Sequence, residues 1–129
     1  MAQGLNASSG VCNVTIGKPE ISWDLFGSLD LRIGTVERAE SFLEAKKPAI
    51  KLWLNFGPEL GVLKTSAQIT DRYRPETLPG RQLVAVVNFP PKQIGPFMSE
   101  CLVLGAVESS GAVVLLCTDS VVADGTQVG

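Results

Sequence analysis

Ile50-Lys51-Leu52-Trp53-Leu54-Asn55-Phe56 alternates apolar and polar positions almost without a break. In an extended chain successive side chains point to opposite sides. Ile50, Leu52, Leu54 and Phe56 therefore share one face, and Lys51, Trp53 and Asn55 share the other. That is a strand with one side in a core and the other turned outward. Gly57-Pro58 closes it as a turn, and 60–66 offers a hairpin partner. Upstream, Leu31, Ile33 and Thr35 alternate with Arg32, Gly34 and Val36 as a first strand. Downstream, 82–87, 100–107 and 112–117 are near-continuous apolar runs that read as buried strands, with a weaker last strand over 121–128. Thr70–Tyr73 reads as one helical turn ended before Pro75. Many short strands with little helix predict an all-β domain, a small closed barrel or a sandwich.

Before the first strand, Ile21, Leu25 and Leu29 recur at helical spacing, with Trp23 and Phe26 off that stripe. A short helix with apolar residues on two sides would cap the open end of a barrel or pack on a second subunit. Residues 1–20, rich in Gly, Ser, Asn and Ala without periodicity, read as a flexible tail, which leaves 21–129 as the domain.

The 129 residues suffice for one domain with a real core, and 45% hydrophobic with 19% charged is an ordinary globular balance. No run of about 18 apolar residues exists for a membrane helix. The opening MAQGLNASSG has neither the positive charge nor the apolar segment of a secretory signal, so a cytoplasmic protein is expected. Histidine is absent, which excludes Ser-His-Asp and Cys-His catalysis and His-dependent zinc sites. Cys12, Cys101 and Cys117 form no C-x-x-C pair, and the apolar runs around Cys101 and Cys117 predict buried thiols. An enzyme would have to rest on Lys64 and Ser66, two apart on one strand face, with no recognisable oxyanion hole or acid partner. No enzymatic activity, cofactor or metal is expected.

Charge is unevenly placed. The chain carries 11 basic and 13 acidic residues, a net −2. Residues 32–92 alone hold ten bases against six acids, a local +4, while the two ends are acidic. With a Debye length of about 8 Å at physiological salt, such a local field can dock a polyanion on an acidic protein.

Polar residues cluster at strand ends within that basic span. Lys64-Thr65-Ser66-Ala67-Gln68 ends one strand, Asn88-Phe89-Pro90-Pro91-Lys92-Gln93 follows another, and Phe97-Met98-Ser99-Glu100 precedes a third. Two prolines stiffen the middle segment and hold Asn88, Lys92 and Gln93 at fixed positions. Ser, Asn and Gln hydrogen-bond phosphate or base edges, and Lys supplies long-range attraction. Ordinary turn and capping chemistry is the alternative for each of them. Trp53 has two uses open, stacking on a base or packing beneath a loop.

The strings LDLRIGTV (29–36), EAKKPAIKLWLNFG (44–57), TSAQIT (65–70), LVAVVNFPPKQIGPFMSECLVLGA (83–106) and VVLLCTD (113–119) resemble the CsaA family. These are small tRNA-binding-domain proteins, related to the C-terminal appendage of methionyl-tRNA synthetases and to endothelial monocyte-activating polypeptide II. The resemblance implies an OB-fold, a five-stranded barrel with short helices and terminal extensions for dimerisation. It implies a homodimer that recognises tRNA by shape. Taken together with the strand and loop placement above, the expected tRNA-binding residues are Lys46, Lys47, Lys51, Lys64, Ser66, Gln68, Asn88, Lys92, Gln93, Ser99 and Glu100. The family is also associated with protein export, which implies unfolded preproteins and SecA as alternative partners. A peptide groove would then be lined by Phe89, Pro90, Pro91, Ile94, Phe97 and Met98. No membrane partner is expected.

Overall fold

A computed structural model describes residues 17–129; the expected tail falls mostly outside these residues, as does Cys12. Ten strands follow one short helix. The helix α1 (Trp23–Gly27) is N-capped by Ser22, whose hydroxyl accepts from the Leu25 N–H at 3.2 Å. The first strand, β1 (Leu31–Ser41), is long because it serves two neighbours. Its first half pairs with β4 (Gln82–Val86) and its second half with β2 (Ile50–Asn55), all antiparallel. A bulge between Val36 and Arg38 bends the strand where it changes neighbour. β3 (Val62–Ala67) pairs along all of β2, and β7 (Leu102–Val103) pairs with β4, giving the five-strand order β3-β2-β1-β4-β7.

The sheet curls until its two edges meet, so the fold is an OB-like, nearly closed five-stranded barrel. The seam between β3 and the segment entering β7 is stitched by few bonds. The Glu100 N–H donates to the Lys64 carbonyl at 2.7 Å, and the Lys64 N–H returns to the Glu100 carboxylate at 3.1 Å. Beside them, the Thr65 hydroxyl donates to the Cys101 carbonyl at 2.6 Å. Thr65 is the one buried polar side chain among the described residues, and this bond satisfies it.

Ile50, Leu52, Leu54 and Phe56 all lie inside the barrel, each at most 1% exposed, as the alternation predicts. Gly34 makes room for Phe56: a Cβ on Gly34 would come within 2.7 Å of the ring. In β1 the expected two-faced pattern is lost, since Leu31, Ile33, Gly34 and Val36 are all buried. The C-terminal strand β10 (Gln127–Val128) pairs with this half of β1 and helps enclose it. The turn at 69–73 is helical, with the Tyr73 N–H on the Ile69 carbonyl at 3.1 Å. A 3-10 helix over Pro75–Thr77 follows and leads into the fully buried Leu78.

Three expectations are corrected here. The run 100–107 is not one buried strand: it breaks at Leu104 into β7 and β8 (Gly105–Val107), and Leu102 and Val107 are exposed. Leu104 hydrogen-bonds across to Val84 and Leu116, after which the chain leaves the barrel to form a hairpin of β8 with β9 (Val113–Leu115). Cys117, just past that hairpin, is exposed, while Cys101 is buried and its thiol is pushed up to about 12 by burial. Nor does α1 cap the barrel: none of its residues is buried, and Trp23 is 93% exposed. Among the described residues, no helix is long and apolar enough to cross a membrane.

Candidate nucleic-acid interface

The outward side of β1-β2-β3 is built by register. Arg38 on β1 lies opposite Trp53 on β2, which lies opposite Lys64 on β3; one step along, Glu40, Lys51 and Ser66 form the parallel row. Cations and one indole thus share one face of a rigid sheet, where cross-strand neighbours come within about 5 Å of each other.

A second hairpin, β5 (Lys92–Ile94) with β6 (Phe97–Ser99), packs onto this face. Phe97 is its anchor, 6% exposed, meeting Phe42 at 5.4 Å and Trp53 at 6.0 Å between ring centroids, both edge-on. Phe42, Ala49 and Phe97 form a small second core, with Trp53, Ala45 and Ile94 packed around it. The ammonium of Lys51 lies 5.3 Å, and that of Lys64 5.1 Å, from the Phe97 centroid. Lys51 also lies 4.9 Å from Phe42 and faces the Glu44 carboxylate at 3.8 Å. Cation–π contacts of this kind contribute about 0.5–1 kcal/mol each at exposed sites. Their larger effect is to hold two long side chains in place with their charge at the surface.

The expected site residues fall into three groups. Lys46 and Lys47 are exposed in the β1–β2 loop, and no carboxylate among the described residues pairs with them or with Lys92. Ala45 and Ala49, which flank Lys46 and Lys47 in sequence, pack in the aromatic cluster over which Lys51 and Lys64 lie, and Ser66 and the exposed Gln68 extend the row along and beyond β3. The second group, Lys92, Gln93, Ser99 and Glu100, lines a cleft of about 670 Å³ together with Phe89, Pro90, Pro91, Cys101 and Leu102. Ser99 joins the two groups, because its hydroxyl lies 3.0 Å from that of Thr65 and accepts from the Ser66 N–H at 3.4 Å.

Asn88 stands apart. Its amide oxygen accepts from the Asp30 N–H at 2.9 Å and its amide nitrogen donates to the Ser28 carbonyl at 2.8 Å. Both ends of the amide are engaged in fixing the link between α1 and β1. Glu100 likewise uses its carboxylate at the barrel seam. The six apolar residues expected to form one groove are divided: Phe89, Pro90 and Pro91 line the cleft, Phe97 and Ile94 belong to the second core, and Met98 is 39% exposed. Lys64 directs its ammonium to Phe97.

Sequence reasoning missed Arg38. Its guanidinium lies 4.1 Å from the Trp53 ring centroid, and it also pairs with Glu40. Period two alone cannot find it, because the bulge at Glu37 shifts the phase of β1 and aims Arg38 at Trp53.

A family model described as "Putative tRNA binding domain" matches residues 31–127, the barrel and its seam together. The CsaA chaperone of Bacillus anthracis superposes with a TM-score of 0.82 at 53% identity, covering 86% of this chain and 100% of that one. This chain belongs to the CsaA branch of the tRNA-binding domain family. CsaA of Picrophilus torridus matches at 43% identity and TM-score 0.80, covering 85% of this chain and 100% of the other. Methionine–tRNA ligase of Xanthomonas axonopodis is 40% identical over 101 residues, 78% of this chain but only 14% of the ligase. The chain thus corresponds to a small part of such ligases.

Proposed function

We propose that this chain is a cytoplasmic tRNA-binding protein that acts as a homodimer, recognises tRNA by shape and catalyses no reaction. The observation that carries the reading is the face of β1-β2-β3. Lys51 and Lys64 are held there over an aromatic cluster, with Lys46 and Lys47 beside them, and a family model for tRNA binding spans the same barrel. Phosphates dominate affinity for RNA, and shape recognition uses phosphates, 2′-hydroxyls and a few unstacked bases, which needs no catalytic group. The unit would be residues 21–129, with α1 and the C-terminal strands as the dimer-forming extensions. Ile21, Trp23, Leu25 and Phe26 stand 45–93% exposed on and just before a five-residue helix. A second copy would bury them and present the basic face twice.

A second reading has its own support. The solved relatives are named chaperones, and the cleft beside the β5–β6 hairpin is walled by Phe89, Pro90, Pro91 and Leu102. An extended segment of an unfolded preprotein would fit such a wall, with SecA as a further partner.

Fluorescence anisotropy of labelled tRNA across a salt series separates the two, with duplex DNA and an unfolded peptide as competitors. Tight binding that weakens steeply with salt and resists duplex DNA supports the tRNA reading. Binding to unfolded peptide alone, insensitive to salt, replaces it with the chaperone reading.

A further inference from the structure

We propose that Trp53 is a stacking station for one unpaired RNA base, and that Arg38 covers the indole until RNA arrives. The inference rests on the tRNA reading and adds to it a defined subsite and the kind of nucleotide it takes. Arg38 lies over the indole at 4.1 Å from the centroid, with its side chain 59% exposed. Phe97, the only aromatic neighbour of Trp53 among the described residues, meets it nearly at a right angle, 84° between planes. The ring is therefore fixed by Phe97 and covered by a group that can leave.

The cover is weakly held. An exposed cation–π contact and an exposed ion pair to Glu40 are both small contributions, and a base stacked on an aromatic ring binds more strongly than either. Displaced, the guanidinium stays within reach to lie on the base or pair with its phosphate. The surroundings suit a nucleotide better than a neutral ring. Lys64 lies directly opposite Trp53 on β3, and Lys51 is two residues away on β2. Of the nearby acids, Glu37 is engaged by the Asn55 side-chain amide at 2.9 Å and Glu44 by Lys51, while Glu40, released when Arg38 moves, lies opposite Lys51 on β2. A base inside a duplex is already stacked on both sides, so the nucleotide taken here has to be unpaired.

The test uses a Trp23→Phe protein, which leaves Trp53 as the only tryptophan of the two in the chain. Its emission is followed while total tRNA is added, and in parallel while heparin, an anion without bases, is added. Stacking predicts at least about a twofold quench at saturating tRNA and no comparable quench by bound heparin. In the same background, Arg38→Ala should keep the tRNA quench and start from a changed emission, because the indole is uncovered beforehand. Trp53→Phe, which keeps an aromatic ring, should weaken tRNA binding only a few-fold. If tRNA binds the parent normally while Trp53 responds no more than it does to heparin, the subsite is overturned and the tRNA reading survives. A quench by unfolded peptide but not by tRNA overturns it as well. Absence of any tRNA binding removes both.

Discussion

Two exposed regions of this barrel are built on opposite principles. On the β1-β2-β3 face the groups turned outward are charged, and the rings beneath them are covered: Phe97 is buried and Trp53 carries Arg38. Two other segments, α1 and the chain after Leu104, together the rim, leave large apolar side chains turned outward. Trp23, Val107 and Val121 are 93%, 73% and 89% exposed. A surface of the first kind is complete as it stands and suited to a hydrated polyanion. A surface of the second kind costs free energy in water until something apolar covers it. Under the proposed function the face would take RNA and the rim a second copy of the chain.

The largest effect expected from separating them is at the rim. Trp23→Glu with Leu25→Asp should convert the proposed homodimer to a monomer in sedimentation, with the barrel still folded by circular dichroism. tRNA affinity should then fall by about 10²-fold or more, because two linked faces become one. A dimer that persists in this variant would place the interface elsewhere. Next comes the face itself. Lys47→Glu with Lys92→Glu should cost at least about tenfold in tRNA affinity and flatten the salt dependence by roughly one unit of slope per lost phosphate contact, while the dimer stays intact. Unchanged binding would move the site.

A change beneath both regions should disturb neither selectively. Gly34→Ala places a methyl against Phe56, and overpacking of this kind should lower stability by about 1–3 kcal/mol, read as a lower Tm. The smallest effect concerns the thiols. A native-state alkylating reagent should label Cys117 and spare Cys101, as peptide mapping would show. The Cys101 thiol, raised by burial from 9.0 to about 12, is held neutral in the folded state. Its contribution to stability is therefore fully present below about pH 9 and lost as pH rises toward 12. Labelling of Cys101 at neutral pH would contradict its burial.

The same contrast explains what could be read from the chain alone. Strict alternation over Ile50–Phe56 was enough to place a core face and an outward face, because burial on one side enforces period two. Of the two uses open to Trp53, the structure shows its edge packed against Phe97 of the β5–β6 hairpin, and the stacking use is the one proposed above. The spacing of short strands narrows the fold to a barrel or a sandwich, and the family resemblance implies the barrel. An apolar run looks the same whether it faces a core or solvent, so the pattern predicts for Leu102, Val107 and Cys117 an interior they do not reach. The bulge at Glu37 hid Arg38, since a one-residue phase shift leaves no mark on composition. Asn88 poses a different ambiguity. An amide suited to a phosphate is equally suited to the Ser28 carbonyl and the Asp30 N–H, and those partners are 60 and 58 residues away.

The most direct test of the division into face and rim is photo-crosslinking of tRNA to the native protein, with the attached peptides mapped by mass spectrometry. The account predicts crosslinks within residues 38–68 and 89–99 and none on α1 or on β8 and β9. Crosslinks concentrated on α1 or on the β8–β9 hairpin would contradict it, because the apolar rim would then be the RNA surface.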